Sequence, residues 1–104
     1  MPSFDDRESA FENKFAHDAQ MLFRAEARRN KLLGLWAADL LGKSGDEAAA
    51  YAVEVITADF EEAGDEDVFR KVKSDIGHLT DDATIRTRMA TLMVDAKTQI
   101  MNEV

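Results

Sequence analysis

Apolar residues recur every three or four positions along most of the chain, and this spacing limits the fold more than any other feature. Ile85, Met89, Leu92, Met93, Ala96 and Ile100 draw one line down a helix, because 3.6 residues complete a turn. The same spacing links Ala48, Ala52, Val55, Ile56 and Phe60, and again Val68, Phe69, Val72 and Ile76. No run of β-branched residues alternates with polar ones, so strands are not expected. Punctuation falls between the stripes. Ser44 with Glu47 forms a capping-box pattern, and Gly64 separates the second and third helices. Gly77 closes the third, and Thr80, Asp81 and Asp82 open the fourth. Asp65, Glu66 and Asp67 stand where a helix N-terminus favours negative charge.

The first segment, Phe4 to Leu41, is longer than an ordinary globular helix and contains no proline; the only one in the chain is Pro2. Its stripe of Phe4, Phe11, Phe15, Leu22, Leu32, Leu33, Trp36 and Leu40 is sparse before Leu22 and dense after Leu32, so only the second half has the apolar density of a core helix. Two capping-box patterns compete for its start, Ser3 with Asp6 and Ser9 with Glu12. Isolated helices of about 12–15 residues are marginal in water. Pro2 to Asp18 is therefore expected to be largely disordered when the protein is alone. The expected architecture is all-α: a four-helix bundle over residues 19–104, with a long first helix whose N-terminal part, residues 1–18, is conditionally ordered.

A chain of 104 residues with 45% apolar content suits one compact domain, and the absence of cysteine excludes a disulfide scaffold and a thiolate metal site. No apolar run approaches the roughly 18 residues needed to span a bilayer, and the opening MPSFDDRE is acidic where a signal peptide would be basic. Neither membrane insertion nor secretion is expected. The formal charge of −8 argues against a nucleic-acid partner. That charge is unevenly spread: Met21–Leu33 is net +3 and Asp46–Asp82 is net −9. Alternation of this kind fits helices with complementary faces, or a partner that reads one block.

Candidates for chemistry are few. There is no G-x-S-x-G, and His17 and His78 lie in unrelated places, so nucleophilic catalysis is not expected and neither is an enzyme. Asp75 and His78 supply two metal ligands at most, where zinc needs three or four. The acids Asp59, Glu61, Glu62, Asp65, Glu66 and Asp67 lack the spacing and central glycine of a calcium loop. No metal or cofactor is implied. Arg24, Arg28 and Arg29 form a basic block that could touch phosphate through side chains, or pair with Glu26 or with the acidic helices. Phe4, Phe11 and Phe15 fall on one face of an otherwise polar segment. Such a face suits binding in a partner's groove, with ordering linked to association, or docking on the protein's own core.

The runs FRAEARRNKLLGLWAA (Phe23–Ala38), ADFEEAGDEDVFRKV (Ala58–Val72) and FDDRESAFENKFAHD (Phe4–Asp18) resemble the zeta-subunit family, small inhibitors of the bacterial F1Fo-ATP synthase. The resemblance covers nearly the whole chain; the family often has proline at the position of Ala63. It implies a four-helix fold and an N-terminal inhibitory segment that becomes helical in the complex. That segment would wedge into a catalytic interface between the α and β subunits of F1, near the rotor subunit γ, and block rotation in the hydrolysis direction. On this implication Phe4, Asp5, Asp6, Arg7, Glu8, Phe11, Lys14 and Phe15 bind the partner. The free protein would be monomeric and cytoplasmic, reaching the inner membrane only peripherally through the synthase. The family also implies weak adenine-nucleotide binding. Two other readings are a small nucleotide-sensing domain using Arg24, Arg28 and Arg29, and an acidic adaptor for a basic partner.

Overall fold

A computed structural model describes residues 18–59 and 65–103. Four helices follow in order: α1 Ala19–Leu40, α2 Gly45–Ala58, α3 Glu66–Ile76 and α4 Asp82–Glu103. The four helical segments expected from the apolar spacing are all present, and no strand occurs among the described residues. Phe60, Gly64, Ala63 and the two competing caps at Ser3 and Ser9 lie outside the described residues.

Helix α1 is the axis of the bundle and packs most extensively on α2 and α4. Its C-terminal half contributes Leu33, Ala37 and Ala38 to the main core, with Tyr51 and Val55 from α2, Val68, Phe69, Val72 and Ile76 from α3, and Ile85 and Met89 from α4. Leu33, Val55, Val68, Val72, Ile76 and Ile85 are wholly buried. Each such side chain contributes on the order of 1.5–3 kcal/mol of burial free energy, which explains why a chain this short uses all three of the expected stripes. A smaller cluster joins Met21 and Ala25 of α1 to Ile100 of α4, flanked by Met93 and Met101. Trp36, near the other end of α1, lies under Arg88 near the start of α4. The two long helices therefore run antiparallel.

The buried line on α1 differs from the expected one. Leu22, Leu32 and Trp36 are only half-buried and Leu40 is exposed, whereas Met21, Ala25, Arg29, Asn30, Leu33, Gly34, Ala37 and Ala38 face inward. Small residues let the helices approach closely, so alanine and glycine share the inner face with Met21 and Leu33, and Leu22 and Leu32 lie at its margins. Gly34 marks a close approach of α1 to α2: a Cβ there would lie 2.6 Å from Ala52 Cα.

Helix ends also depart from expectation in detail. Asp18, expected to belong with the N-terminal segment, is the N-cap of α1, and its Oδ1 accepts from the Met21 N–H at 3.0 Å. Gly42, at φ +78°, ends α1 in a Schellman arrangement: the Lys43 N–H donates to Ala38 O at 2.8 Å and the Gly42 N–H to Asp39 O at 3.1 Å. Ser44 precedes α2 but makes no side-chain cap bond. The Glu47 N–H that the capping box would use donates instead to the Ser44 carbonyl at 3.2 Å. Gly77 ends α3 in the right-handed region, with its N–H on Lys73 O, so its closure is not a left-handed cap. Asp81 opens α4 as expected, accepting the Thr84 N–H at 2.7 Å.

Candidate functional site

Met21, Ala25, Arg29 and Leu33 are spaced by four, so a helix that buries the apolar three carries Arg29 inward with them. Arg29 is 2% exposed. A guanidinium out of water must find partners or cost several kcal/mol, and this one has them. Its Nε donates to Asn30 Oδ1 at 2.7 Å and its Nη2 to Asp65 Oδ1 at 2.8 Å. Asn30 passes the tie onward, its Nδ2 donating to Asp59 Oδ2 at 3.0 Å. Adjacent residues of α1 thus fasten both ends of the connection between α2 and α3. Crowding of carboxylates here also acts on Glu26. Partial burial, then the nearby charges of Asp59 and Asp65, push its carboxyl above the ordinary range.

Arg28, one position earlier, turns to a different helix. Its two terminal nitrogens donate to Gln99 Oε1 and Glu103 Oε1, both at 2.7 Å. A cation over the last turn of α4 also complements the negative end of that helix. Arg24 is exposed on the outer face of α1. The three arginines of the basic block are therefore divided among solvent, α4 and the buried tie to Asp65, and they do not converge on one phosphate-sized ligand. The pairing with the acidic stretch expected for this block is met by Arg29 with Asp65, while Arg28 pairs with Glu103 of α4.

The acidic positions are similarly occupied. Glu66 accepts both Arg86 nitrogens at 3.0 and 3.2 Å, which holds its carboxyl below the ordinary range, and the same guanidinium lies 3.8 Å over the Phe69 ring. Asp67 is buried and paired with Arg70. Asp75 accepts from the Tyr51 hydroxyl and pairs with Lys71, both at 2.8 Å, while His78 is exposed beside it in sequence. Among the described residues, no group of three His, Cys, Asp or Glu side chains could hold a metal ion.

An open groove of about 480 Å³ is lined by Arg29, Asp65, Arg86, Met89, Ala90 and Met93. A second, of about 390 Å³, runs along Asp81, Ala83, Thr84, Thr87, Arg88 and Thr91. The first lining mixes charged and apolar side chains, and the second is largely threonine. Among the described residues no helix is long and apolar enough to cross a membrane. The candidate partner-binding residues Phe4, Asp5, Asp6, Arg7, Glu8, Phe11, Lys14 and Phe15 lie outside the described residues, as do His17, Glu61 and Glu62. Pairing of Arg29 with the acidic stretch is one of the readings given for the basic block; its burial and the extension through Asn30 to Asp59 were not expected from the sequence, although the four-residue spacing through Arg29 marks its inward direction.

Residues 1–99 match the family model described as ATPase inhibitor subunit zeta. Among solved structures, one determined by solution NMR is 60% identical in sequence, with a TM-score of 0.75, and the match covers 81% of this chain and 99% of that one. None of the curated proteins matches the chain.

Proposed function

The chain belongs to the ATPase inhibitor subunit zeta family, and from that membership we propose that it inhibits ATP hydrolysis by the F1 part of F1Fo-ATP synthase without being an enzyme itself. The carrying observation is that the family match begins at residue 1 and runs through both the helical domain and the segment before it. The four helices supply an anchor; residues 1–17, with Phe4, Phe11 and Phe15, supply the element that enters the catalytic interface between the α and β subunits beside γ. Fixing about 15 residues in one conformation costs on the order of 15–30 kcal/mol of backbone entropy. A receiving groove offsets that cost by burying the three rings and pairing Asp5, Asp6, Arg7, Glu8 and Lys14. The protein then acts where F1 is, at the inner-membrane surface.

Deletion of Met1–His17, stopping short of the Asp18 cap, is the direct test. The truncated chain is expected to retain its helical content and lose inhibition of F1 hydrolysis. A truncation that inhibits as well as the full chain ends this reading. The full chain with Phe11→Ala and Phe15→Ala is expected to inhibit weakly with its thermal midpoint almost unmoved; a midpoint lowered by many degrees would place those rings in the protein's own core.

A further inference from the structure

The chain carries twenty-one acids and thirteen bases, so carboxylates are available to every cation. The fold uses most of its described cations accordingly. Arg28, Arg29, Arg70, Lys71, Lys73 and Arg86 each hold an ion pair, and Arg88 lies over Trp36. Arg24 and Lys31 form no ion pair among the described residues, and both are exposed on α1. They are seven residues apart, about two turns or roughly 10 Å along the axis. Gln20, Arg24, Ala27, Lys31 and Leu35 succeed one another by three or four, so they share one outward stripe. Leu35 remains 37% exposed at its end. Glu26, the acid of this stretch, is partly buried, and the charges that act on it most are those of Asp59, Asp65, Arg29 and Lys97.

We infer that this stripe of α1 is a second contact of the inhibitor, docking on an acidic protein surface of the ATPase next to the site that receives residues 1–17. The inference rests on the inhibitor reading and adds where the anchor binds and with what charge. Two facts select this occupant. Two neighbouring cations without an ion pair among the described residues, in a chain of net charge −8, leave a local positive field that suits an acidic partner. The stripe also begins at Gln20, two residues after the chain enters the domain at Asp18, so a partner holding the N-terminal segment meets this face of α1 next. Leu35 adds an apolar contact at the far end, and Ala27 between the cations leaves room for close approach.

The test uses the full chain with Arg24→Glu and Lys31→Glu, singly and together, beside Lys43→Glu as a single charge reversal at the turn after α1. Binding to purified F1 and the concentration for half-maximal inhibition are measured at low and high salt, with helical content checked by circular dichroism. The double variant is expected to need about tenfold more protein at about 50 mM salt, to reach the same maximal inhibition at saturation, and to approach the parent at about 1 M salt, where charges are screened within about 3 Å. Lys43→Glu is expected to match the parent. If the parent inhibits and the double variant inhibits equally at low salt, the stripe is not a docking surface. The same conclusion follows if charge reversal removes binding of ADP in an NMR titration yet leaves the half-inhibitory concentration unchanged, which would make the stripe a phosphate site. If the parent neither binds nor inhibits F1, the inhibitor reading falls and this contact falls with it.

Discussion

Gly34→Ala sets two ordinary effects against each other at a tight contact between α1 and α2. An alanine in the interior of a helix favours that helix by about 1 kcal/mol over glycine. The added Cβ, however, would stand 2.6 Å from Ala52 Cα, 3.1 Å from Ala52 Cβ and 3.3 Å from Val55 Cγ2, whereas ordinary contact begins at 3.4 Å. The nearest atom is backbone, so no change of rotamer relieves it, and α1 and α2 must separate by the missing 0.8 Å (3.4 minus 2.6). Separation loosens the packing of Leu33 and Val55, both wholly buried. Overpacking of this kind costs about 1–3 kcal/mol, occasionally more, and outweighs the propensity gain. A clash with backbone falls in the upper part of that range, about 2–3 kcal/mol, so the expected net loss is about 1–2 kcal/mol, which for a domain of this size lowers the thermal midpoint by roughly 5–15 °C. Thermal unfolding followed by circular dichroism, with urea unfolding as a second measure, reads the change. Adding Ala52→Gly should not rescue the variant, because it removes the 3.1 Å contact and leaves the 2.6 Å one. Inhibition of F1 below the midpoint should be unaffected, since the contact lies between α1 and α2 on the inner face. A Gly34→Ala protein as stable as the parent, or more so, would show that helix propensity governs this position and would refute the packing argument.

Tyr51→Phe removes the 2.8 Å hydrogen bond to Asp75 and keeps the buried ring, so it should cost about 1 kcal/mol in urea unfolding. Burial and then the bond to Asp75 push the Tyr51 hydroxyl far above its ordinary value of 10. Because it is the chain's single tyrosine, tyrosinate absorbance should rise only as helical content is lost; a rise near pH 10 with the helices intact would contradict this. Asp75 and Glu26 should give opposite pH profiles in urea midpoints measured from about pH 3 to about pH 8. Burial pushes Asp75 up, but its hydrogen bonds with Lys71 and Tyr51 outweigh that and hold it below the ordinary range. Its contribution is therefore full above the ordinary carboxylate pKa and lost as pH falls through the lowered value, so Asp75→Asn should weaken the protein at neutral pH and make the acid limb shallower. Glu26 is raised, so its ionised form is disfavoured in the fold and its contribution is lost as pH rises through the raised value. Glu26→Gln should stabilise the protein at neutral pH, the gain fading as pH falls below the ordinary range; equal midpoints at all pH values would remove Glu26 from the carboxylate cluster.

Four helices are legible in the sequence because the stripes through Val55, Val72 and Met89 place large apolar residues every three or four positions, and burial of such residues dominates the free energy of a small domain. The direction of α1 is less legible. Its large residues Leu22, Leu32, Trp36 and Leu40 suggest the inner face, yet of the expected stripe only Leu33 is wholly buried there, beside Met21, Arg29, Asn30 and the small residues Ala25, Gly34, Ala37 and Ala38 that let α2 approach closely. Arg29 groups with Arg24 and Arg28 in the sequence because all three are basic and near one another; charge type alone says nothing of direction. Direction follows from register: Arg29 shares the line of Met21, Ala25 and Leu33, Arg28 points one step around toward α4, and Arg24 and Lys31 fall on the outside. Once register is known, the same block separates by role. Arg28 and Arg29 are consumed in fastening α4 and the α2–α3 connection to α1, which leaves the excess positive charge of the block on Arg24 and Lys31. A cation used internally stabilises the domain whether or not a partner exists, whereas a cation left outside an acidic protein adds little to its own fold. On that argument, reversing Arg24 and Lys31 should cost affinity for F1 and spare stability, while replacing Arg29 should do the reverse.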